Sequence, residues 1–195
     1  MHGRVFKKLR EERGYKSKDV AGDVISTRTL TRFEADETSL SIATFEKLLE
    51  NEDFKNAKVI MSYMDFKNEV KTDKINEYIK KAGKTLVLPK VITKEKMIAI
   101  EDKNKYIVSP FGNSEPDGEE YMGEIDVIIT PGVAFDREKN RVGFGRGYYD
   151  RFFAIHKNAK KIAIAFEKQI IEEGIETTEY DMKVDILVTE DSIIY

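Results

Sequence analysis

The chain has 195 residues and a formal net charge of -3, from 33 Lys and Arg against 36 Asp and Glu. That balance gives no global drive toward nucleic acid or an anionic surface. The absence of cysteine excludes disulfides and thiolate catalysis, and no run approaches the roughly 18 apolar residues of a membrane span. One domain is expected, with room for a small extra module. The first eight residues lack the apolar stretch of a signal peptide, so a cytoplasmic protein is expected.

Residues 3 to about 50 read as helical and polar. Val5, Phe6 and Leu9, then Val20, Val24 and Ile25, recur at helical spacing. Gly14 is placed to end the first helix, Ser17 and Ser26 or Thr27 to begin others, and Ser41 to begin one carrying Phe45, Leu48 and Leu49. The texture changes at Asp53. Residues 57–63 read as a strand, and Thr72 or Asp73 opens a helix carrying Ile75, Tyr78 and Ile79 that stops at Gly83. Residues 85–89 form a short run, apolar at its centre, as a buried parallel strand requires. Residues 91–93 and 97–100 are shorter strand candidates, and residues 101–120 are turn-rich, with Pro110-Phe111-Gly112 and Glu115-Pro116. Strands follow at 125–130, 161–166 and 185–189, with a helix from about 147 to 156.

Strands alternating with helices predict an α/β fold, a mostly parallel sheet sandwiched between helices in a Rossmann-like three-layer arrangement. A helical N-terminal segment, residues 1–52, precedes the α/β domain of residues 53–195. Ligands in such sheets bind beyond the carboxyl ends of the strands. The richest local pattern lies at one such end. Pro131-Gly132-Val133-Ala134-Phe135-Asp136 is followed by Arg141-Val142-Gly143-Phe144-Gly145-Arg146-Gly147-Tyr148-Tyr149-Asp150-Arg151. Alternate glycines let backbone N–H groups converge on an anion, and the helix that follows adds its dipole. Arg141 and Arg146 bring positive charge, and Asp150 can hold a cation against the same phosphates. The loop is neither G-x-G-x-x-G nor G-x-x-x-x-G-K-[ST], so neither the dinucleotide fingerprint nor the P-loop applies.

The block from Pro131 to Arg151 resembles the signature of the 5-formyltetrahydrofolate cyclo-ligase family, P-G-x-A-F-D followed by R-x-G-x-G-x-G-Y-Y-D-R. Further segments are similar to that family: Glu69 with Thr72, Gly83-Lys84 with Pro89, Gly112 with Glu115-Pro116, and Asp181 and Asp185 with Thr189. The resemblance covers about residues 53–189. It implies conversion of 5-formyltetrahydrofolate to 5,10-methenyltetrahydrofolate with ATP and Mg²⁺, releasing ADP and phosphate. The formyl oxygen attacks the γ-phosphate, N10 attacks the activated carbon, and phosphate leaves as the ring closes. It also implies roles. Arg141, Val142, Gly143, Phe144, Gly145, Arg146, Gly147, Tyr148 and Tyr149 would bind ATP, with Arg146 and Tyr148 also catalytic. Met64, Glu69 and Tyr148 would bind the folate, and Asp150 and Asp185 the metal.

The N-terminal segment admits two readings. Lys7, Lys8 and Arg10 can serve as the family's phosphate-contacting cluster, although Phe6 stands where its lysine would fall. Residues 3–50 also resemble a repressor-type helix-turn-helix, with Thr27, Arg28, Thr29 and Arg32 on a recognition helix. That second reading makes the chain a DNA-binding regulator with a folate-sensing domain. An inactive paralogue is a third.

Overall fold

The computed structural model describes residues 2–21, 37–66, 69–108 and 114–195. Helices α1 (His2–Glu12) and α2 (Ser17–Ala21) are joined through Gly14, whose φ of +72° and bond from its N–H to the Glu11 carbonyl make it the predicted helix stop. Ser26, Thr27, Arg28, Thr29 and Arg32, with Val24 and Ile25, lie outside the described residues, as do Pro110, Phe111 and Gly112. Helices α3 (Glu37–Leu48) and α4 (Glu52–Asn56) follow. Ser41 does not begin α3 as expected: it sits inside the helix, buried, and its Oγ accepts the Lys71 N–H at 3.0 Å. The cap occurs instead at α4, where Asn51 accepts the Phe54 N–H at 2.9 Å. Lys84 closes the other end of α4, its ammonium donating to the Lys55 carbonyl at 2.6 Å.

The central sheet comprises β1 (Val59–Met61), β2 (Thr85–Val91), β3 (Met97–Glu101), β6 (Val127–Thr130), β9 (Lys160–Ile164), β11 (Ile186–Val188) and β12 (Ile193–Ile194). Their order is β12-β11-β9-β6-β1-β2-β3. The five inner strands are parallel, and the edges β3 and β12 are antiparallel. Helix α5 (Asp73–Lys81) packs on one face and α6 (Tyr148–Ile155) on the other.

Alternation along each strand divides the core. Ile60, Leu86, Leu88, Val127, Ile129, Ile162, Ile164, Ile186 and Val188 point to one side, with Leu48, Phe54, Ile75 and Ile79 from the helices. Met61, Val87, Ile128, Ala163 and Leu187 point to the other, against Phe135, Phe152 and Phe153. This is the period of two expected of strands covered on both faces. Phe45 and Leu49 of α3 pack on the first cluster, so α3 lies against the sheet's own core.

Of the two short strand candidates after residue 89, 97–100 is β3, whereas 91–93 is not a strand of its own. β2 runs on through Val91 and turns back into β3, giving a hairpin with a turn at residues 92–96. Two small sheets complete the fold: β4 (Tyr106–Val108) with β5 (Ser114–Pro116), and β7 (Ala134–Asp136) with β8 (Arg141–Val142) and β10 (Ile170–Ile171). The chain builds β2 and β3 on one side of β1, then returns to place β6 on the other. The carboxyl ends of β1 and β6 therefore flank a crevice of the kind that holds ligands.

Candidate active site

A cavity of about 1070 Å³ opens at that crevice. Tyr63 and Met64 follow β1, Pro131 and Gly132 follow β6, and Pro89 and Val91 end β2; all line it. Every residue from Arg141 to Asp150 joins them.

The loop is positioned by the β7–β8 hairpin. Asp136, buried at its base, accepts the Asn140 N–H at 2.8 Å, the Asn140 amide at 2.7 Å and the Ile175 N–H at 2.9 Å. Burial pushes its carboxyl up, but these bonds outweigh burial and hold it below the usual range. Asp136 thus holds its own loop. Arg141 follows on β8, with a side chain only 4% exposed. Its Nη2 donates to both oxygens of Asp150 at 3.1 Å, and its guanidinium lies against the rings of Tyr149 and Phe153. Its Nε has no hydrogen-bond partner.

Glycine is required beside that guanidinium. A Cβ on Gly143 would fall 2.7 Å from Arg141 Nη1, and one on Gly132 would strike the Phe135 ring. Gly145 and Gly147 instead serve the backbone, with φ of +76° and +62°. The chain then enters α6 at Tyr148. Val142, Phe144 and Arg146 are exposed along the loop.

The opposite wall is more apolar and carries carboxylates. Met64 is partly exposed to the cavity, and buried Tyr63 donates its hydroxyl to the Val70 carbonyl at 3.1 Å. Glu69 accepts the Phe66 N–H at 2.8 Å, and burial raises its carboxyl above the ordinary range. Thr72 of the same motif stands at the N-cap of α5, as expected, but its side chain makes no capping bond: its hydroxyl donates to the Tyr63 carbonyl at 2.7 Å, tying the segment to the end of β1. Glu115, also lining the cavity, is buried and likewise raised by burial. Neither Lys94 nor Glu115 was singled out as a site residue from sequence. Lys94 stands on a hairpin turn visible only once β2 and β3 pair.

The two aspartates expected at a metal part company. Asp150 faces the cavity, but Asp185 does not line it. Asp185 stands just before β11 and accepts the Lys161 N–H at 2.7 Å, at the amino ends of the strands. Asp126 does the same before β6, accepting the N–H groups of Lys58 and Val59. The carboxylate that does reach the cavity is Asp181, four residues earlier. Its neighbour Met182 donates its N–H to Asp150 at 3.3 Å. Thr178 bonds to Asp181 through its N–H and hydroxyl, and with the nearby Arg141 charge these hold the carboxyl below its ordinary value.

Lys7, Lys8 and Arg10 do not line the cavity either. Lys7 and Lys8 are exposed, and Arg10 donates to the Tyr15 carbonyl at 2.7 Å, bracing the end of α1. Among the described residues, no helix is long and apolar enough to cross a membrane.

Relatives carry the same architecture. The chain is 34% identical to a 5,10-methenyltetrahydrofolate synthetase of Aquifex aeolicus, with a TM-score of 0.69 over 82% of each chain. A corresponding synthetase of Mycoplasma pneumoniae superposes with a TM-score of 0.62 at 26% identity, covering 86% of this chain and 90% of that one. In sequence, a probable 5-formyltetrahydrofolate cyclo-ligase of Caenorhabditis elegans is 32% identical over 170 residues, 78% of this chain and 82% of the relative. Residues 4–190 match the 5-formyltetrahydrofolate cyclo-ligase family, a span that includes the helices before Asp53. With residues 141–150 lining the cavity inside the matched span, the chain belongs to the 5-formyltetrahydrofolate cyclo-ligase family.

Proposed function

We propose that this cavity converts 5-formyltetrahydrofolate to 5,10-methenyltetrahydrofolate at the expense of ATP. The observation that carries the reading is that the glycine loop and Glu69, 72 residues apart at the nearest point (Glu69 to Arg141), line one cavity of about 1070 Å³. Ligand pockets commonly span about 300–1,000 Å³, so the space suits two substrates held side by side rather than one small one.

The division of labour follows the two walls. The backbone N–H groups of residues 143–147 offer donors to the phosphates, with Arg146 supplying mobile charge at the cavity edge. Met64 and Tyr63 give the folate ring an apolar surface, and Glu69 accepts from pterin N–H donors. Tyr148, at the start of α6, stands between the walls beside the reacting formyl group. An amide oxygen is a poor leaving group, and phosphorylation converts it to a good one. Catalysis by the chain is then alignment and charge neutralisation.

Asp150 and Asp181 present hard oxygen donors where a divalent cation would meet the phosphates. These two carboxylates would hold the cation and leave room for phosphate and water ligands, as magnesium prefers. Bound there, Mg²⁺ would neutralise phosphate charge. The test is direct. Protein mixed with 5-formyltetrahydrofolate, ATP and Mg²⁺ should develop the absorbance of the methenyl product, with ADP and phosphate in equal amounts. Folded protein that yields no product would overturn the reading.

A further inference from the structure

Arg151 lies just outside the residues that line the cavity, and the reading above assigns it nothing. Yet it makes more contacts with the glycine loop than its exposure suggests. Its Nε donates to the Glu95 carbonyl at 2.7 Å, and its Nη2 donates to the Arg146 carbonyl at 2.7 Å. Its guanidinium lies over the Tyr148 ring, 5.6 Å from the centroid. Gly147 makes room for it: a Cβ there would fall 2.9 Å from Nη1. Tyr148 adds a parallel tie, donating its hydroxyl to the Thr93 carbonyl at 3.1 Å. Arg151 thus holds the loop through the Arg146 carbonyl and the β2–β3 turn through the Glu95 carbonyl, and Tyr148 joins the two directly; that turn presents Lys94 to the cavity.

We propose that Arg151 is a positioning residue that fastens the glycine loop to the β2–β3 turn, so that Tyr148 and the phosphate-binding backbone are set before ligand arrives. Guanidinium chemistry suits this work. Its planar fork sends two N–H groups in diverging directions to two carbonyls, whereas an ammonium is a point donor. The loop needs such a fastening because Gly145 and Gly147 hold left-handed φ values that glycine leaves without restraint. A site held in its bound geometry binds without the cost of ordering it. The proposal rests on the reading of this loop as the ATP site.

Steady-state kinetics of Arg151→Ala and Arg151→Lys, with thermal unfolding in the presence and absence of MgATP, test it. The loss of a charged hydrogen bond is worth about tenfold or more, and because Arg151 is exposed the lower end applies, so Arg151→Ala should raise KM for ATP by about tenfold. Its kcat should fall as well, because Tyr148 loses its support. The ATP-induced rise in Tm should shrink, while the ligand-free Tm changes little, since Arg151 is exposed. Arg151→Lys keeps the charge above Tyr148 and one carbonyl contact, and should fall between the two. Unchanged KM and kcat in Arg151→Ala would overturn the proposal. So would a loss confined to ligand-free Tm, or Arg151→Lys behaving as poorly as Arg151→Ala in every measurement. Wild-type protein without turnover would instead sink the ATP-site reading, a result separable from any of these.

Discussion

Replacing Asp150 with Asn tests the centre of the site, and the structure makes it a test of stability as well as of chemistry. Asp150 is the acceptor for both Nη2 contacts of Arg141, whose side chain is 4% exposed and whose Nε is already unpartnered. Breaking a buried ion pair by removing one member costs roughly 3–5 kcal/mol, because the remaining charge stays buried. Two features reduce this. Asp150 is 18% exposed, and asparagine keeps one oxygen toward the guanidinium. A loss of about 1–3 kcal/mol remains. At about 2–4 °C per kcal/mol for a chain of this size, Tm should drop by roughly 2–12 °C. Turnover should fall on the order of a hundredfold or more, since the proposed site loses one of the two carboxylates that would hold Mg²⁺ against the phosphates. A thermal melt and the methenyl absorbance assay read the two effects. Arg141→Met removes the charge itself, so Asp150→Asn in that background should cost far less than alone. An unchanged Tm in Asp150→Asn, or strict additivity in the double variant, would refute the argument that Arg141 depends on Asp150.

Three further expectations follow from the same geometry. Asp181→Asn should raise the Mg²⁺ concentration needed for half-maximal rate, whereas Asp185→Ala should leave it unchanged and lower Tm, because the Lys161 N–H loses its acceptor; a magnesium titration and a thermal melt of both variants decide. Gly143→Ala should displace the Arg141 guanidinium and depress turnover, and should add little in an Arg141→Met background, while Gly145→Ala meets no atom and should cost only about 1–2 kcal/mol of backbone strain. Glu69 has its carboxyl raised by burial, so the folded state holds the proton more tightly than the unfolded one. Its contribution is therefore greatest below the ordinary glutamate range and is lost as pH rises through the folded value; Glu69→Gln should flatten that limb of a Tm-against-pH curve, and an unaltered curve would reject the assignment.

The central sheet was legible because its strands announce themselves twice, as β-branched runs and by their spacing between helices. What was missed lies where patterning is weak. β7, β8 and β10 are two or three residues long, too short for any period to emerge, and they exist because buried Asp136 gathers Asn140 and Ile175 around one carboxylate. Ser41 was misread for a related reason. A serine near the start of a helix looks the same whether it caps that helix or receives a bond from a distant segment, here Lys71. That the glycine loop lies on the ligand-binding rim was legible, but not the use made of each glycine. Gly143 answers to a side chain and Gly145 to a torsion angle, a distinction that spacing does not carry.

The motif Asp181-Met182-Lys183-Val184-Asp185 shows how four residues separate two fates. Both carboxylates match the family pattern, and the resemblance points to Asp185 as the metal residue. The fold favours Asp181 instead. The Asp185 N–H donates to the Lys161 carbonyl at 2.9 Å, the first rung joining β11 to β9, so Asp185 must lie where parallel strands begin. Its carboxylate then satisfies the Lys161 N–H, as Asp126 satisfies two such groups before β6. Ligands gather where parallel strands end. A residue that begins β11 is thus committed to the wrong rim, while Asp181, on the segment that crosses beside Asp150 before the strand starts, is free to face the cavity. The strand boundary, rather than the spacing of acids, decides which of the two carboxylates faces the cavity where the proposed cation would sit.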